Sequence, residues 1–175
     1  MKTLKKFAIM LMAIVIMASV VPAYTEAATT PTCVEKALKR AVNENNWCIV
    51  IRQDKGKMYI YKKCKSGWKL KKTFNCIVGK RMCQNKHYFL HRSSDIDIFA
   101  WGVENDRWSY GMYIECYEKA YTNMIHSYTD HYNGKTWKTR KCAKWNTDGI
   151  SICENNAKWI WNHCGDGTAI QVIGK

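Results

Sequence analysis

Nine cysteines and five histidines are the residues of this 175-residue chain with the widest chemistry. The cysteines stand at positions 33, 48, 64, 76, 83, 116, 142, 153 and 164. No pair has the C-x-x-C spacing and the intervals match no zinc finger or ribbon, so neither a metal site nor another cofactor is expected. The count is odd, so at least one thiol cannot pair within the chain, while the others suit disulfides in an exported protein. A spare thiol becomes a nucleophile only where its thiolate is favoured and a histidine lies within hydrogen-bond reach. Cys153 is one candidate, because it opens an apolar-periodic stretch whose first backbone N–H groups have no partner within the helix.

The elements that must position these groups are mostly strands. Residues 33–45 place Val34, Leu38, Ala41 and Val42 at helical spacing and predict a short amphipathic helix. Trp47–Arg52 reads as a strand, 54–57 as a turn, and Met58–Tyr61 as a second strand. Trp68–Phe74 alternates apolar with basic residues and predicts a half-buried third strand with its lysines in water. Further strands are predicted at 87–90, 97–103, 112–116 and 122–128, with a hairpin turn at Asn133-Gly134. Glu154–His163 is the second helix, stopped by Gly165 and Gly167, and Thr168–Ile173 closes the chain as a buried strand. The fold class is therefore mainly β with two short helices.

Lys2, Lys5 and Lys6 precede a fifteen-residue apolar run, Phe7–Val21, followed by Pro22 and small residues. That pattern predicts a signal peptide over 1–28 and one domain over 33–175, secreted or wall-bound, with no transmembrane anchor after cleavage. The net charge is +14. Eleven Lys or Arg and one acid, Asp54, fall between Arg52 and Arg81, and such a face attracts polyanions. Export argues against nucleic acid and for peptidoglycan, another anionic wall polymer or anionic lipid headgroups as partners. A monomer is expected.

The order Ile125-His126-Ser127-Tyr128, Asn146-Thr147-Asp148-Gly149-Ile150-Ser151, Ala157-Lys158-Trp159-Ile160-Trp161 and Gly167-Thr168-Ala169-Ile170-Gln171-Val172-Ile173 resembles the catalytic domain of bacterial L,D-transpeptidases. Upstream, Trp68-Lys69-Leu70 through Phe74-Asn75-Cys76-Ile77-Val78-Gly79-Lys80 resembles another segment of that family. The likeness spans about residues 47–173. It implies an L,D-transpeptidase-like β-sandwich and a peptidoglycan-crosslinking reaction through a cysteine acyl-enzyme.

The resemblance fails at the centre of that chemistry. In a gap-free register Gly149 covers the family's cysteine, Thr147 its histidine and Ser151 its arginine; shifted by one, Ile150 takes the cysteine's place. His126 matches the remaining histidine. Asp148, Ser151, Trp145 and Ser127 are the expected substrate-binding positions. Three readings remain open: a degenerate, wall-binding member; an active enzyme using Cys153 with His126; and a secreted basic interaction or antagonist protein.

Overall fold

In the computed structural model, which describes residues 32–41, 44–79, 82, 86–93, 97–99, 106–116, 122–140 and 149–174, two apolar runs from opposite ends of the chain lie side by side. These are β1 (Trp47–Arg52) and the last strand, Thr168–Ile173. They pair in parallel, with Ile49 opposite Ile170 and Ile51 opposite Val172. Both are apolar on both faces of the pleat because both faces are covered, as strands at the centre of a mixed sheet require. One face packs into the main core with Met58, Ile60, Leu90, Ile114 and Ile125. The other, with Cys48, Val50 and Ala169, is covered by Val34, Ala37 and Leu38 of helix α1 (Thr32–Arg40). All described residues belong to the unit Pro31–Lys175.

The remaining strands in chain order are β2 (Lys57–Cys64), β3 (Gly67–Asn75), β4 (Ile77–Val78), β5 (Tyr88–Arg92), β6 (Asp97–Phe99), β7 (Asp106–Ser109), β8 (Met112–Cys116), β9 (Thr122–Ser127), β10 (Thr129–Tyr132), β11 (Trp137–Arg140) and β12 (Ile150–Ile152); the final strand is β13. Nine form one sheet in the order β3-β2-β1-β13-β5-β8-β9-β12-β4. β3 and β4 stand at its two edges yet are separated by Cys76 alone, so the chain steps from one edge to the other and the sheet curls nearly into a barrel. The second sheet has the order β11-β10-β7-β6. Its β10–β11 hairpin turns at Asn133-Gly134 as predicted; the Asn133 side chain accepts the N–H of Thr136 at 2.9 Å.

Helix α2 (Glu154–His163) buries Ala157 and Ile160, with Trp159 and Trp161 packed at the edge of the main core. No helix among the described residues is long and apolar enough to cross a membrane. The predicted signal peptide lies outside the described residues.

The disulfide framework expected from the sequence is not seen among the described residues, where all seven cysteines are free. Cys48, Cys76, Cys116 and Cys164 are buried instead as small apolar core groups, a common use of the residue. Burial pushes the thiols of Cys48, Cys76 and Cys164 up to about 12, so these three stay protonated at neutral pH.

The entrances to β1 and β13 are tied by one side chain. Asn45 donates through Nδ2 to Asp166 O at 2.7 Å and Thr168 Oγ1 at 3.0 Å, and accepts the Trp47 N–H at 2.9 Å. Beside it, Gly167 holds φ +76, and a Cβ there would meet Glu44 Cβ at 2.7 Å. Asn45→Ala leaves these polar groups without their partner and is expected to cost about 1–3 kcal/mol, read as a lowered urea midpoint at unchanged slope.

Candidate active site

The histidine carried by β9 and the loop end carried by β12 meet through parallel pairing. Ile125 lies opposite Ile150, His126 opposite Ser151 and Ser127 opposite Ile152. Gly149 immediately precedes β12, so it sits at the end of the strand that runs beside His126. Its carbonyl accepts the Gly79 N–H at 2.7 Å, which continues the β4–β12 pairing of Val78 with Ile150. The Gly79 bond and the pairing of the adjacent Ile150 with Ile125 thus position Gly149 through the backbone.

His126 is 4% exposed. Its Nδ1 lies 2.6 Å from Ser127 O. A carbonyl can only accept, so Nδ1 carries the proton and Nε2 is left as the basic nitrogen. Trp108 of β7 stacks on the imidazole at 4.3 Å and 25°. That indole is held by its own hydrogen bond, Nε1 to Thr129 Oγ1 at 2.9 Å. Burial pushes the imidazole down to about 4, against a smaller opposing effect of the Ser127 carbonyl. At neutral pH the ring is neutral, oriented and covered.

No nucleophile stands at the positions matched by the resemblance. Gly149 has no side chain, and in the shifted register Ile150 is a buried core residue. Ser127 is 2% exposed; its hydroxyl accepts the Ser109 N–H at 2.8 Å and donates to Tyr128 O at 3.1 Å. Ser151 is 5% exposed, so the arginine position of the resemblance is a buried hydroxyl.

Cys153 is the N-cap residue of α2, with φ −67 and ψ 150. Its carbonyl accepts the N–H groups of Asn156 and Ala157, both at 3.0 Å. It lies past the last β9–β12 pair, next to Tyr128, whose N–H donates to Ile152 O at 2.8 Å. The Tyr128 hydroxyl is pushed above its usual value by burial first and then by Cys153 and Cys76. The strand pairing therefore brings His126 together with Ser127, Gly149 and Ser151, and places Cys153 beside Tyr128. Thr147, Asp148 and Trp145 lie outside the described residues. Among those described, no group of three or more His, Cys, Asp or Glu is arranged to hold a metal ion.

Two features of the site escape sequence reasoning. One is the stacking of Trp108 on His126, since the two belong to different sheets and meet only through the fold. The other is the Gly79–Gly149 backbone bond, which leaves no side-chain signature.

No protein-family model and no curated protein matches the chain. Solved structures do. The fold is similar to that of a fused Zn-dependent amidase/peptidase/peptidoglycan-binding domain-containing protein from Clostridium acetobutylicum, with a TM-score of 0.59 at 18% identity over 81% of this chain and 58% of that one. It is also similar to an L,D-transpeptidase from Stackebrandtia nassauensis, with a TM-score of 0.52 at 7% identity over 81% of this chain and 62% of that one. The chain spans about three fifths of each neighbour's length. The fold is thus L,D-transpeptidase-like.

Proposed function

We propose that this chain is an exported, wall-associated protein that keeps an L,D-transpeptidase-like fold without the family's acyl transfer. The observation that carries this reading is the pairing of β9 with β12: the strand beside the oriented imidazole of His126 is entered through a glycine, Gly149. Cysteine acyl transfer needs a thiolate at the carbonyl carbon, a base beside it and N–H donors for the oxyanion. Here the base remains, but Trp108 covers it and no side chain stands at Gly149. Cys153 does not substitute, because about 1 Å of misplacement in such a reaction already costs on the order of 10²-fold and Cys153 lies beyond the paired segment.

The test is intact mass after incubation with a carbapenem β-lactam, a reagent that acylates the family's thiol. The reduced protein is expected to stay unmodified. A stoichiometric adduct mapped to Cys153 would overturn the reading in favour of an active enzyme using Cys153 with His126. What such a protein does at the wall is bind, and the chemistry of its surface indicates what.

A further inference from the structure

Between Lys55 and Ser94 the sequence contains no Asp or Glu. The fold gathers much of the resulting positive charge on one hairpin. β3 is the sheet's edge strand, and of its nine residues only Phe74 is buried. Lys62, Lys63, Lys65, Lys69, Lys71 and Lys72 are all exposed. Among the described residues none of the six forms an ion pair with a carboxylate.

The register sharpens the cluster. Trp47 pairs with Lys62 and Lys62 with Lys69, while Ile60 pairs with Lys72. Lys62, Lys69 and Lys72 thus share the sheet face of Trp47. Pairing skips Lys71, which marks a bulge at the edge. Lys62 Nζ lies 5.0 Å over the Trp47 ring and Lys72 Nζ 5.7 Å over the Trp159 ring. The two indoles meet edge to face at 5.9 Å, and His163 stacks on Trp159 at 4.2 Å.

Two physical points follow. Like charges directly opposite across an antiparallel pair destabilise it, and Lys62 opposite Lys69 is such a pair with no acid to relieve it. Lysines laid on indoles are partly ordered before any ligand arrives, which lowers the entropic cost of binding. All the cations here are ammonium point charges with three rotatable donors each, which can follow the oxygens of successive phosphates without a fixed bidentate geometry.

We propose that the face of the β2–β3 hairpin carrying Lys62, Lys69 and Lys72 binds a linear polyanion of repeating phosphate groups. Cross-strand pairing sets Lys62 about 5 Å from Lys69, and the strand rise sets Lys72 roughly 7–10 Å further along, spacings that a flexible phosphate chain can follow. The inference deepens the wall-associated reading by naming a partner chemistry. It does not depend on whether the β9–β12 site is inert, and the carbapenem experiment can fail without touching it.

The test is a titration of the full domain with long-chain inorganic polyphosphate, read by tryptophan fluorescence at low and moderate salt. Binding is expected at low salt and should weaken as salt screens it. The Lys62→Gln/Lys69→Gln/Lys72→Gln variant should lose about 30-fold in affinity, and Lys135→Gln/Lys138→Gln on β11 and its turn should lose less than about threefold. Equal losses in both variants would reduce the face to undirected charge and overturn the proposal. Tighter binding of duplex DNA or of anionic-lipid vesicles than of polyphosphate at equal phosphate concentration would overturn it in favour of those partners. Lysines also guard exposed sheet edges against self-association. If the triple variant self-associates, Lys69→Gln alone should still lose about threefold, and an unchanged affinity there would sink the proposal.

Discussion

Between pH 6.5 and pH 4 the folded domain is expected to lose about 3 kcal/mol of stability through His126 alone. The imidazole sits in the fold with its pKa pushed from 6.5 to about 4, mainly by burial. In the unfolded chain it titrates near 6.5. Above pH 6.5 both states hold it neutral and its full contribution is present. As the pH falls below 6.5, the unfolded chain takes up a proton that the fold refuses, so stability falls until the folded pKa near 4 is reached. A shift of that size is worth roughly 3 kcal/mol. His126→Phe keeps an aromatic ring against Trp108 and removes the titration. The urea midpoint of the wild-type chain should fall relative to that of the variant as the pH drops from 7 to 4; parallel curves would show that another group carries the acid sensitivity.

Ile170→Ala is expected to be the costliest core substitution, at about 4 kcal/mol. Ile170 is fully buried and lies in β13 between Ile49 of β1 and Tyr88 of β5. Truncating a buried isoleucine removes transfer free energy and leaves a cavity, together about 2–5 kcal/mol. A centre clamped by strands on both sides cannot collapse into that cavity, which puts the site in the upper part of the range. For a domain of this size the melting temperature should fall by about 8–16 °C. Leu70→Ala on β3 is the control: that side chain is 47% exposed, and its loss should stay within about 0.5 kcal/mol.

The contrast between Ile170 and Leu70 also marks what the sequence makes legible. Long periodic segments read correctly: Met112–Cys116, Glu154–His163 and Thr168–Ile173 begin and end where predicted. The alternation in Trp68–Phe74 correctly indicates a strand, but Leu70 is exposed, because a local pattern does not tell that the strand will stand at an edge. β4 and β12 are invisible beforehand, since two or three residues have no period and become strands only through their partners. They are the elements that fix Gly149, so the least legible strands position the site. His126 was legible through the resemblance, and the absence of a thiol at Gly149 with it. The stacking of Trp108 on it was not, because contact between residues on two sheets is decided by tertiary packing. The cysteine count suggested bridges; the interior uses most of the described cysteines as apolar filling.

The single residue between β3 and β4 has a mechanical consequence. In an open sheet each edge strand can fray by itself, and the damage stops at its one neighbour. Here Cys76, whose N–H donates to Gly56 O at 2.9 Å, makes both edges parts of one continuous thread. Peeling β3 from β2 drags on β4, and β4 holds Gly149 through Val78 and Gly79. Tension along β3 thus passes to β4 through the backbone of Cys76, without any side-chain relay. The curled sheet behaves as a closed belt with Cys76 as its buckle.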